Sequence, residues 1–218
     1  MNKATKTNVA VLGTIFGISG ISHGFFEMLQ GNIPTDGLFI SAIGEGQKRW
    51  VHGDEPAFTL IPNFLVTGIA AMLVGFVIVM WSIFFVHKKF GATIFLLLFI
   101  LLLLAGGGVA QVIFFPFLWL VATRVNRPLG WWKKVLSVRL QTILSGIWIW
   151  CLMTSSVPLI FALEIAITGF VPGISNPETV LSVMLGCLVI VLIAIPMTFI
   201  SGFAYDIAKT NDIVFEHN

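Results

Sequence analysis

Residues 92–123, ATIFLLLFILLLLAGGGVAQVIFFPFLWLVAT, carry no charged side chain, and three consecutive glycines, Gly106 to Gly108, stand at their middle. As one straight helix this run would reach ~48 Å at ~1.5 Å per residue, too long for a ~30 Å hydrocarbon core without strong tilt. Each glycine weakens a helix by about 1 kcal/mol relative to Ala. The sequence therefore predicts a break at the glycines. Charge supports a reversal there. Lys88 and Lys89 precede the run, and Arg124, Arg127, Lys133 and Lys134 follow it in the connector 124–134. Basic connectors collect on the cytoplasmic side of a membrane. Both ends of the run lie on one side only if the chain turns back. The result is either two short crossing helices, 92–105 and 109–123, or a re-entrant hairpin buried in protein.

The rest of the chain has the same character. It is 57% hydrophobic and 10% charged over 218 residues, where a soluble domain carries roughly 25% charged residues. Apolar runs at about 8–30, 57–86, 136–168 and 180–205 each suffice to cross a bilayer as helix. A β-barrel would instead show alternating segments of about ten residues. The expected fold is all-α, a polytopic transmembrane helical bundle of five to six spans with a Gly-broken hairpin in the middle, as one domain. Lys3 and Lys6 precede the first run, which is too long for a signal-peptide core and is read as a retained helix. With six spans both termini are cytoplasmic. Short loops and the lack of a targeting segment point to a bacterial inner membrane. The net charge of +2 says little about partners, and with no basic tail no nucleic-acid partner is expected. Cys151 and Cys187 lie singly in apolar runs and form no redox or disulfide framework.

The first span holds the chain's most informative polar residues. Gly13, Gly17, Gly20 and Gly24 form a stripe that lets another helix approach closely. His23, Glu27 and Gln30 lie on an adjacent stripe. Ionisable groups at membrane depth are costly and face a protein interior or a cavity. His23 and Glu27, four residues apart, share one face as a proton- or cation-handling pair would. Two further polar residues join the candidates. Asn63 follows Pro62 inside the second span, where a kink would free a backbone carbonyl, and Glu164 lies deep in the fifth run at the level of Glu27.

The polar segment 31–56 folds over the end that carries Glu27. Its middle, GLFISAIGEGQKRW, is expected to lie on the membrane as a short amphipathic helix. Asp54 and Pro56 are expected to cap and open the second span. Trp50 fits an outer interfacial belt, and Trp131 and Trp132 an inner one. His52 and Glu55 can join His23 and Glu27 as a mixed nitrogen and oxygen set for a divalent metal. No specific metal motif backs that set, and no other cofactor is expected.

Three functions fit. The first is transport or permeation through an outer-facing polar cavity lined by His23, Glu27 and Glu164. The second is a non-catalytic membrane subunit or lipid-interaction protein. The third is a metal-dependent intramembrane enzyme built on His23, Glu27, His52 and Glu55. The expected partners are the lipid bilayer and either further copies of the chain or a membrane partner subunit.

Overall fold

The structure, a computed structural model, describes residues 1–216, and side chains for all of these except 110 and 211–216. Helix α1 (Lys3–Leu29) leads through an outer segment containing strands β1 (Phe39–Ser41) and β2 (Pro56–Thr59) into α2 (Phe64–Met80). A π-helical segment, Trp81–Phe85, prolongs α2. Helix α3 (Gly91–Leu104), strand β3 (Ala105–Gly108), a 3-10 turn (Val109–Ile113) and α4 (Phe114–Ala122) follow. Helices α5 (Gly130–Val135), α6 (Val138–Thr168) and α7 (Pro177–Glu216) complete the order. Four helical stretches are long and apolar enough to cross a membrane: Lys3–Leu29, Phe64–Phe85, Val138–Thr168 and Pro177–Thr210. Two shorter apolar helices, Gly91–Leu104 and Gln111–Ala122, lie between them.

Helices α1 and α2 pack antiparallel through glycine. A Cβ at Gly17 would meet the Gly75 carbonyl at 2.9 Å, and one at Gly75 would meet the Gly17 carbonyl at 2.7 Å. Gly24 and Gly68 oppose each other in the same way one level higher. Without side chains at these positions the two backbones touch, which strengthens dispersion contact along the pair. Gly20 turns instead onto Leu102 of α3, and Gly13 meets Ser82 of the π-helical segment and Phe95 of α3.

The run 92–123 folds back along α1. On the way out, Phe95 packs at Gly13 and Leu102 at Gly20. Then Gly106 lies against Glu27 and Gly108 against His23. On the way back, Gln111 bonds Ser19 and Phe114 stacks on Phe16 at 5.4 Å. The descent ends where the Asn2 side chain donates to the Arg124 carbonyl at 2.7 Å and the Arg127 carbonyl at 2.9 Å. Asn126 donates to the His87 carbonyl at 2.6 Å, so the loops before and after the hairpin meet. α3 has 14 residues, ~21 Å of helix, and spans little more than half the length of α1.

A break in an apolar setting exposes backbone groups that must find partners. The outer segment supplies them. β1, β2 and β3 form one antiparallel sheet in that order. Ala57 pairs with Gly108 and Thr59 with Ala105, and Leu60 N–H donates to the Leu104 carbonyl at 2.9 Å. This pairing corrects several expectations. The stretch GLFISAIGEGQKRW is a strand and a 3-10 turn rather than an amphipathic surface helix, with Ile40, Ala42 and Ile43 buried. Residues 57–59 belong to the sheet, so the second span starts at Phe64. Asn63, not Asp54, caps it, its side-chain oxygen accepting from Val66 N–H at 3.1 Å. Pro62 precedes the helix and kinks nothing, Pro56 begins β2, and the Asp54 carboxylate bonds the Ser41 hydroxyl. At the ends, α1 begins five residues before the expected start at 8, and α7 runs beyond 205.

Candidate functional site

Ser19, His23 and Glu27 recur every four residues on α1 and so share one stripe, which faces the glycine strand and the turn after it. Their burial is nearly complete: His23 is 5% exposed, Glu27 0% and Gln111, opposite Ser19, 4%. Gly106 takes a φ of +100°, a region L side chains avoid, and a Cβ there would strike the Glu27 carboxylate. A Cβ at Gly108 would come within 2.6 Å of the His23 ring. The glycines thus do two jobs. They end the helix, and they leave the room that the two polar side chains fill.

Partners are unevenly shared among these groups. His23 Nε2 meets Glu55 Oε2 at 2.5 Å, a short contact between two largely buried side chains. Gln111 Nε2 donates to Ser19 Oγ at 2.6 Å. The other buried polar atoms of the cluster have no hydrogen-bond partner among the described residues: His23 Nδ1, both Glu27 oxygens and Gln111 Oε1. Nearby hydroxyls are engaged elsewhere. Thr67 donates to the Ala105 carbonyl at 2.9 Å and its oxygen lies 2.6 Å from that of Thr59, which anchors the start of β3. Buried polar groups normally have partners. Glu27, His23 Nδ1 and Gln111 Oε1 thus lie along one buried stripe with their polar atoms unpartnered among the described residues.

The predicted residues are distributed as follows. His23 and Glu55 come together, and Glu27 lies one helical turn from His23 on the same stripe of α1. Gln30 braces the outer segment, its amide donating to the Ser41 carbonyl at 2.9 Å and the Ala42 carbonyl at 3.0 Å. Asn63 is a helix cap whose amide also donates to Asn32 at 2.8 Å. Glu164 is exposed on α6 and lines, together with Glu55, Ser19 and Ser22, a cleft of about 220 Å³ between α1 and α6. His52 lies apart from the cluster, 3.1 Å from Glu178 at the start of α7. The four-residue metal set is therefore split, and among the described residues no three His, Cys, Asp or Glu side chains gather to hold a metal ion. Trp50 donates from its indole to the Ala166 carbonyl at 3.0 Å and packs on Gly169, so it ties the outer segment to the end of α6 rather than to lipid.

Asp206 was hidden in what the sequence presents as a polar tail. It is 6% exposed and accepts from Ala4 N–H at 2.9 Å, Thr5 N–H at 2.9 Å and the Thr5 hydroxyl at 2.7 Å. It caps the N-terminus of α1 from α7. Asn8 adds a second tie, donating to the Thr198 carbonyl at 2.8 Å and accepting from the Trp148 indole at 2.8 Å. The sole sequence signal was Asn2-Lys3-Ala4, a helix start whose Asn2 makes no side-chain cap to it.

Compared with protein-family profiles, curated proteins and solved structures, the chain matches none.

Proposed function

We propose that this chain is an integral membrane protein that conducts or exchanges protons through the Glu27–His23–Glu55 cluster, as part of transport from an outward-opening cleft. The observation that carries the reading is Glu27 itself, wholly enclosed and with both oxygens unpartnered. An isolated buried charge costs several kcal/mol, so this carboxyl must hold a proton or a cation. One helical turn away, His23 and Glu55 form a pair that reaches the cleft. Glu55 is the wet end of the path and Glu27 the dry end. A broken helix beside the site, here at Ala105–Gly108, is a usual feature of ion-coupled transporters.

Orientation follows from charge. Ten of the twelve Lys and Arg residues, all but Lys48 and Arg49, lie at or beside the Asn2 end of the bundle. The positive-inside rule places that end in the cytoplasm. Asp206 reaches Ala4 and Thr5 there, so α1 starts and α7 finishes on the same side. The hairpin of α3 and α4 then supplies the two short crossings of a six-crossing bundle.

The test is proton flux into liposomes carrying the purified protein, with a potassium potential clamped by valinomycin and an internal pH dye. Wild-type protein should acidify or alkalinise the lumen according to the potential, and Glu27→Gln should slow this at least tenfold. Equal flux in the two proteins would remove the reading.

A further inference from the structure

The cleft between α1 and α6 has a character of its own. Its walls are aliphatic, with Ile18 of α1 facing Ile160 and Leu163 of α6. Two carboxylates, Glu55 and Glu164, stand in this apolar lining beside the hydroxyl of Ser22, and among the described residues none that lines it is Lys or Arg. The lips are open to the apolar flank of the bundle, with Ile18 at 55% and Ile160 at 53% exposure. Glu164 sits four residues before the end of α6 at Thr168, ~6 Å along the helix axis from that end. An entering molecule thus arrives from the outer leaflet and meets acid at the rim and again at the inner wall.

We propose that this cleft binds a small lipophilic organic cation, a hydrophobic amine or quaternary ammonium, drawn laterally from the outer leaflet. This rests on the transport reading and names its substrate class. An anion would meet two carboxylates and, among the described lining residues, no Lys or Arg. A metal ion lacks the third ligand. A polar solute would lose hydration against aliphatic walls without replacement. A volume of about 220 Å³ is below the ~300–1,000 Å³ of pockets for drug-sized ligands, so the ligand is small. Glu164 captures the cation at the rim. Glu55 then receives it, and His23, which holds the other side of Glu55, is left with the proton that the pair shared. Of the titratable groups nearby, Glu27 lies one turn from His23 along α1 and Glu164 lines the same cleft as Glu55, while β3 (Ala105–Gly108) carries none.

The experiment is binding of hexyltrimethylammonium to the protein in neutral-lipid nanodiscs, by calorimetry at pH 7.5, with 1-octanol as the neutral competitor. Wild-type protein should bind the ammonium, and octanol should displace it poorly. Glu164→Gln should weaken binding about tenfold, the size of one partly desolvated charge contact, and Glu164→Asp, which keeps the charge, should restore most of it. Unchanged affinity in a folded Glu164→Gln, or octanol competing as well as the ammonium itself, overturns the proposal. Wild-type binding without proton flux in the liposome assay sinks the transport reading alone. Flux without ammonium binding sinks the cleft proposal alone.

Discussion

Each end of α1 rests on a buried carboxylate, and the two are opposites. Asp206 at the basic end accepts three hydrogen bonds, two of them from backbone N–H groups that a helix start leaves free. Glu27 at the other end is more deeply buried and accepts none from the described residues. Asp206 also faces the positive end of the α1 dipole, which favours its charge. Glu27, near the C-terminal end of the same helix, gains nothing from it. Burial alone therefore does not set the two carboxylates apart. What distinguishes Glu27 is burial without a partner among the described residues, in room left by glycines that carry no side chain.

The largest effect should come from breaking the satisfied end. Asp206→Ala removes three charge-assisted contacts and leaves two N–H groups of α1 buried and unpaired, a loss of about 2–4 kcal/mol. SDS titration of the purified protein should show it as an earlier unfolding midpoint, and Asp206→Asn should recover part. A midpoint within error of wild type would mean that α1 and α7 are not joined there. Next in size is Gly106→Ala, which forces a side chain into a left-handed φ and onto the Glu27 carboxylate, at about 1–3 kcal/mol. Pairing it with Glu27→Ala separates the two causes. The double variant should regain the steric part and keep the backbone part, so the two losses should not add.

These contrasts were only partly legible in the sequence. The glycine break was, because three glycines in an uncharged run of 32 residues with cations beyond both ends leave few alternatives. The α1 glycine stripe and the His23–Glu27 face also follow from helical period alone. What the broken backbone pairs with was not legible. Pro56 to Thr59 reads as the opening of an apolar span, and becomes a strand because Ala105–Gly108 needs a partner. Such pairing joins residues nearly fifty positions apart and leaves no local signature. His52 and Glu55 are three residues apart and looked equivalent as ligands. The turn at 50–54 sends one to Glu178 and the other to His23. Asp206 stands one residue past the apolar run 180–205, and nothing local to it signals that it reaches the start of α1, about 200 positions away.

A smaller effect should come from Glu27→Gln, which has no protein partner to lose. Its unfolding midpoint should move by less than about 1 kcal/mol in either direction, while proton flux falls. A loss as large as that of Asp206→Ala would mean that Glu27 does have a structural partner, and the contrast between the two ends would fail.

The smallest expected effect concerns pH at the basic end. Burial of its ring, and then Lys6 and Lys88, hold His87 below its ordinary value of 6.5. The folded protein thus takes up this proton at a lower pH than the unfolded chain does. The unfolded state binds more protons in that window, so stability rises with pH through it. The contribution is complete above about 6.5 and is lost as pH falls through the lower folded value. Unfolding midpoints measured from pH 7.5 down to 5.5 should decline in wild-type protein and decline less in His87→Gln. The same slope in both would assign the decline to other groups.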